Sequence, residues 1–373
     1  MRIILFTHSL VSDWNHGNAH FQRGVLSALQ ARGHETLALE PKTGWSRTRL
    51  IAEQGMAAVK RFGWDFPELK TRTYDGLDDA LPSLDGADIV IVHEWTDPYI
   101  ANRLGRMRAA GAPWLLLFHD THHRMISAPD EMQAFELDGY DAVLAFGEAL
   151  AEAYRQRGWG RRVQVWHEAA DIARFVPRPG IARTDDLVWI GNWGDGERAI
   201  ELAEFLVEPC RALQLAANAY GVRYPEPVRQ MLRDAGIHYR GWVSNAAVPE
   251  VFARHRVTLH VPRRQYVRDL PGIPTIRMFE ALACGIPLVA ANWRDSEGLF
   301  REGHDYLPAP SGAAMQAQIR RVLSDADLAA ELARSGLETI RARHTCAHRV
   351  DELLTFVERL DPDRIPTERE LVS

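Results

Sequence analysis

Short apolar runs recur along the chain, separated by segments whose apolar residues return every three or four positions. Arg2–Thr7, Glu35–Leu39, Ala87–His93, Trp114–Phe118, Asp141–Ala145 and Val163–Trp166 read as strands. Runs that are apolar on both faces suit the buried middle of a parallel sheet. Between the first two, Phe21, Val25, Leu26 and Leu29 follow helical spacing up to Gly33, a helix stop. This alternation predicts an α/β fold with helices on both faces of a parallel sheet.

The pattern breaks over residues 175–186, where Pro177, Pro179 and Gly180 sit among charges, and then restarts. Strands are expected at Leu187–Ile190, Leu213–Ala217, His238–Arg240, Val257–Val261 and Pro287–Ala290. Helices are expected at Glu197–Phe205, Pro225–Asp234, Val248–His255, Ile276–Ala283, Ala313–Leu323, Leu328–Arg343 and about His348–Leu360. The expected organisation is a domain over 1–174, a linker over 175–186, a second domain over 187–345, and a closing helix with a tail over 346–373. The tail Asp361–Ser373, charged and holding two prolines, is expected to fray.

The chain has 373 residues. Single cores stop growing near ~250–300 residues, so length agrees with two domains. A net charge of -6 argues against broad nucleic-acid binding, which wants a basic face. Three widely spaced cysteines form no CxxC pair, which suits a reducing cytoplasm. The opening MRIILFTHSL is too short an apolar run for a signal peptide, and no stretch reaches the ~18 apolar residues of a membrane span. A soluble protein is expected, at most peripheral to a membrane.

The most specific stretch is GIPTIRMFEALACGIPLVA, Gly272–Ala290: a loop, a helix and a buried strand. The amides of such a helix start suit a phosphate. Arg277 can neutralise a diphosphate, and Glu280 can accept hydrogen bonds from vicinal hydroxyls. An ordinary i,i+3 ion pair on a packed helix explains Arg277 and Glu280 equally well.

The segment FHDTHHR, Phe118–Arg124, follows a buried strand, where ligand sites of such folds gather. It can be a metal site, although the spacing is no standard one, or a polar loop beside a cleft. In His8–Arg23, Gly17 and Asn18 open a helix, and GNAHFQRG is not GxGxxG, which counts against a nicotinamide enzyme. Asp13, His16 and His20 are candidate bases or capping residues. His93–Glu94–Trp95 follows another strand. Trp14, Trp95 and Trp193 lie in predicted loops, where an indole can stack on a sugar, although most tryptophans pack. Gly44–Trp64 carries Arg47, Arg49, Lys60 and Arg61 against Glu53, and reads either as an interfacial helix or as a solvated one.

EALACGIPLV resembles the donor-site helix of group 1 glycosyltransferases of the GT-B fold, and RMFEALACG is closest to their CgeB-like, spore-maturation-protein branch. GWVSNAAVPEVFARHRVTLHVPR, LVWIGNWGDGERAIEL and RHTCAHRVDELL resemble further family segments in the expected order, so the similarity covers most of Leu187–Leu354. The resemblance implies two Rossmann-like domains facing across a cleft, with the last helix crossing back to the first. It implies a nucleotide-sugar donor as substrate, an unknown acceptor, no cofactor and no metal. Glu280 would bind the donor ribose. Gly272, Ile273, Pro274, Thr275 and Arg277 would line the diphosphate, with Arg198 as a second cation beside Asn192 and Trp193. Val243 would meet the base through its backbone. Gly17 would approach the donor, and His119, with Asp120 and Asp13, would serve the reaction. Many retaining members carry a second glutamate separated by seven residues from the one at Glu280; here that position is Gly272. A nucleotide-sugar 2-epimerase or a non-catalytic sugar- or nucleotide-binding protein of the same fold would share these features.

Overall fold

The structure is a computed structural model that describes residues 1–194 and 196–362. The expectation for the tail therefore falls outside the described residues from position 363 onward. The chain divides into two compact units: Met1–Glu168 with the segment from Cys346 on, and Ala169–Thr345. Residues 175–186 lie within the second unit, with Phe175 buried.

The first unit holds seven parallel strands: β1 (Arg2–Phe6), β2 (Glu35–Pro41), β3 (Thr71–Tyr74), β4 (Ile89–His93), β5 (Leu115–Asp120), β6 (Ala142–Ala145) and β7 (Val163–Val165). Their order is β3-β2-β1-β4-β5-β6-β7. Direction of growth reverses between β1 and β4, and open α/β sheets bind ligands beyond the carboxyl ends of strands at such a reversal. Phe6 pairs with Val92, and His93 with His119, so the residues that follow share one rim. The closing helix Cys346–Leu360 belongs to this unit: Arg32, just after the helix Ala19–Ala31, donates to the Ala347 carbonyl and the Asp351 carboxylate at 3.0 and 2.6 Å.

The second unit holds six parallel strands: β8 (Asp185–Ile190), β9 (Ala217–Tyr220), β10 (Ile237–Gly241), β11 (His255–His260), β12 (Leu288–Ala291) and β13 (Leu307–Ala309). Their order, β10-β9-β8-β11-β12-β13, reverses between β8 and β11. Each unit is thus Rossmann-like.

Two local expectations are corrected. The strand expected at Leu213–Ala217 starts at Ala217, because Leu213 still ends a helix capped by Gln214 in a left-handed conformation (φ 51°). The helix expected over Glu197–Phe205 starts at Ala199 and opens into a wider π turn at Ala203–Val207. Pro209 follows within the next helical stretch and has no N–H to donate, which favours such a turn. The short edge strands β3 and β13 escape sequence reading because their runs are brief and mixed in polarity.

Candidate donor and acid–base sites

In the second unit the loops after β8, β9, β10 and β11 converge. The Gly191 amide donates to the Tyr220 carbonyl, and the Gly221 amide to the Gly241 carbonyl, at 2.9 and 2.8 Å. A Cβ on Gly221 (φ 150°) would stand 2.1 Å from the Gly191 carbonyl oxygen, so the loops meet at a point that only glycine permits. Asn192 braces the same contact, its side-chain oxygen accepting from the Val222 amide at 3.1 Å. Trp193 is buried among the core side chains, so any ligand contact it makes is through its backbone. Val243 is half-buried in the loop after β10.

Arg198 lies beneath this rim. Its guanidinium donates to the carbonyls of Asn192 (2.7 Å) and Val261 (3.3 Å) and stacks on Trp189 at 5.1 Å. No carboxylate among the described residues pairs with it, and its Nε has no partner there. Desolvation, with Arg263 and Arg277 nearby, lowers its pKa to about 9, so it keeps its charge at neutral pH. Arg263 and Arg277 are each ion-paired, with Glu197 and Glu280, whereas Arg198 makes no ion pair of its own among the described residues, so it is the cation left for an anion. Gly194 (φ 92°) leaves room for it: a Cβ there would stand 2.9 Å from the Arg198 Cγ.

The helix Ile276–Ala283 forms where expected, with Thr275 at its start and no side-chain cap. Gly272 (φ 89°), Ile273 and Pro274 are buried in the approaching loop, and the Gly272 amide donates to the Arg294 carbonyl at 2.9 Å. Glu280 is fully buried; its Oε1 accepts from the Asn245 side chain at 2.7 Å, and its Oε2 pairs with Arg277. The Arg277–Glu280 ion pair and a ligand role are therefore compatible, since Arg277 remains partly exposed.

Gly272 has no space for a side chain. A Cβ there would stand 2.4 Å from the Ser296 hydroxyl and 3.2 Å from the Glu297 Oε1. The loop after β12 thus brings its own carboxylate to the position where a glutamate was expected. His260, at the end of β11, was also missed in the sequence. Burial, with Arg198 nearby, lowers its pKa to about 3, and its Nε2 lies 3.4 Å from the Thr275 amide. That neutral ring accepts on Nε2 and carries its proton on Nδ1, which has no partner among the described residues.

In the first unit the rim after β1, β4 and β5 holds a crowd of imidazoles. The rings of His8 and His16 lie 3.8 Å apart, and His93 lies 5.9 Å from His8 and 5.5 Å from His119. Burial lowers His8 and His93 to about 3 and holds His16 and His119 well below the usual histidine range. His119 packs between Phe21 and Trp166, and a neutral imidazole there is no cationic acid. Among the described residues no three His, Cys, Asp or Glu side chains are arranged to hold a metal.

Asp120 accepts from the Tyr154 hydroxyl (2.7 Å) and from the His122 amide (2.9 Å). Burial, then the charge of Glu94, raises it to about 7. Glu94 accepts from the Thr121 hydroxyl at 3.1 Å, its Oε2 lies 2.9 Å from His93 Nδ1, and burial raises it to about 8. The Arg124 guanidinium is the nearby cation, donating to the Glu94 carbonyl at 2.6 Å and lying 3.9 Å over the half-exposed Trp95 ring. Two buried carboxyls both raised toward neutrality are candidates for moving a proton. Asp13 is elsewhere engaged: it pairs with buried Arg23 at 2.9 Å, which also ties the Leu10 and Val11 carbonyls. Gly17 precedes the helix Ala19–Ala31, its carbonyl accepting from the His20 amide at 3.2 Å. Trp14 is buried, bonded to Glu53 and packed edge-on against Trp45.

Residues 198–355 match a family model described as glycosyl transferase-like. No curated protein sequence matches the chain. Among solved structures, a sucrose-phosphate synthase from Thermosynechococcus elongatus is similar at 14% identity with a TM-score of 0.69, over 96% of this chain and 99% of that one. HepE of Anabaena, solved with UDP and glucose, is similar at 15% identity and a TM-score of 0.68, over 96% and 99%. An alpha-glucosyltransferase solved with UDP and a DNA 13-mer is similar at 12% identity and a TM-score of 0.67, over 95% and 98%. The fold is that of GT-B glycosyltransferases, and most of the residues that match the family model fall in the second unit.

Proposed function

We propose that the chain is a glycosyltransferase using a nucleoside diphosphate sugar, with UDP-sugars the first donors to test. The observation that carries this reading is Arg198: a buried guanidinium without a carboxylate partner among the described residues, near Arg277 and Arg263, on the rim that also holds Glu280. In this reading the diphosphate meets Arg198, Arg277 and the amides at Thr275 and Ile276, and the ribose hydroxyls meet Glu280. Val243 meets the base through its backbone, and Gly17 approaches the donor. Solved GT-B structures with bound UDP support the choice of nucleotide.

Transfer breaks the bond between the sugar C1 and the diphosphate oxygen and joins C1 to an acceptor hydroxyl oxygen, whose proton leaves. Fixed cations stabilise the departing diphosphate without a metal. The buried Glu94 and Asp120 carboxyls of the first unit take the acceptor proton, a role for which Asp13 is less suited because Arg23 holds it. His119, next to Asp120 on β5, stays a neutral group there. The motif RMFEALACG favours the CgeB-like branch, and three buried free cysteines suit a reducing, cytoplasmic setting. The acceptor is a glycan, a lipid-linked sugar or a small molecule.

Calorimetry with UDP, GDP, ADP and their sugars, with and without EDTA, tests this. One nucleotide class should bind in EDTA and lose affinity about a hundredfold in Arg198→Met. Absence of binding by every nucleotide would overturn the reading.

A further inference from the structure

Three of the seven exposed large apolar side chains among the described residues, Trp45, Met56 and Trp64, fall in one segment of the first unit. Trp64 is 86% exposed, the most of any of them. The segment forms two helices, Trp45–Gln54 and Met56–Asp65, separated by Gly55 (φ 74°). Phe62 faces inward on the second helix. With Phe66, it closes over the buried Arg23 guanidinium, at 5.2 and 4.6 Å. Residues two positions from Phe62 point the opposite way on a helix, so Lys60 and Trp64 project outward. Met56, Lys60 and Trp64 recur every four residues and form one exposed stripe with Ala57 and Arg61.

Cations outnumber carboxylates along this segment, with Lys42, Arg47, Arg49, Lys60 and Arg61 against Glu53 and Asp65. Arg49 and Lys60 are exposed and make no ion pair among the described residues, and Lys42 lies just before the first helix. Arg61 pairs with Asp65 at 3.3 Å, and Glu53 is occupied by the Trp14 indole at 2.7 Å. The whole chain carries -6, so this positive, aromatic patch runs against its overall charge. An indole beside lysine and arginine suits the headgroup level of an anionic bilayer: the ring buries at the boundary while the cations meet lipid phosphates.

We propose that the face bearing Met56, Lys60 and Trp64 docks on an anionic membrane surface. The inference does not rest on the transferase reading, since it uses no residue of either candidate site. It explains how a chain whose described helices are all too short or polar to span a bilayer would still work at one.

The test is vesicle flotation of the full chain, with neutral phosphatidylcholine vesicles against vesicles containing about one-third phosphatidylglycerol. The chain should float with the anionic vesicles only, and high salt should release it. Trp64→Ser and the pair Arg49→Glu with Lys60→Glu should each weaken this by about tenfold or more while leaving the thermal midpoint unchanged. Failure to float with anionic vesicles, or equal flotation of the variants, overturns the proposal. So does self-association through Trp64 in the absence of lipid binding.

Discussion

The Asn245 side-chain amide donates to the Glu280 carboxylate at 2.7 Å, fixing a fully buried glutamate from a different loop. Asn245 therefore acts through Glu280. Glu280→Ala should abolish stabilisation of the protein by the bound nucleotide, read as a melting-temperature shift. Asn245→Ala should weaken nucleotide binding by about tenfold, the value of one hydrogen bond to a charged group. Equal binding in wild type and Asn245→Ala would remove Asn245 from the site.

Arg198 offers a test that separates binding from folding. Removing an unneutralised buried cation relieves a desolvation cost, whereas removing a binding cation loses the ligand. Arg198→Met should keep or raise the melting temperature of the free protein and lose nucleotide binding. A large fall in stability would instead make Arg198 a structural clamp on the Asn192 and Val261 carbonyls.

Gly221 is the point of closest approach between two donor-side loops. Gly221→Ala places a methyl 2.1 Å from the Gly191 carbonyl. Denaturant unfolding should show a loss of about 2 kcal/mol or more, because backbone must move on both sides. Gly272→Glu meets the Ser296 hydroxyl and the Glu297 carboxylate in the same way. It should destabilise the protein and fail to raise turnover, whereas Glu297→Gln should leave stability nearly unchanged and reduce selection among donor sugars.

The buried carboxyls predict a pH dependence with a definite sign. Glu94 is raised from an ordinary value of 4.5 to about 8, so the folded state binds more protons than the unfolded one between those values. Stability contributed by neutral Glu94 is full at low pH and is lost as pH rises through this window. Glu94→Gln should flatten the fall in melting temperature between about pH 4.5 and 8. The neutral histidines act oppositely: His8 and His93, lowered from 6.5 to about 3, cost stability as pH falls below 6.5. Identical slopes for wild type and Glu94→Gln between about pH 4.5 and 8 would show that Glu94 ionises freely.

The periodicity of the sequence was enough for the α/β class, for most strands and for the helix Ile276–Ala283, because long apolar runs and helical spacing are local properties. Glu280 and Arg277 could be named as candidates from one stretch contiguous along the chain, and Arg198 through the family resemblance. Asn245, His260 and Glu297 carry no such local signal: each reaches its neighbours only because parallel strands return to one rim. The upward shift of Glu94 and Asp120 was likewise invisible. It depends on β4 and β5 lying side by side and on water being excluded around both carboxyls. Sequence determined where the elements begin and which residue types can act; tertiary structure decided which are neutral, which are paired and which lie buried, since burial and charge proximity arise only when distant loops meet.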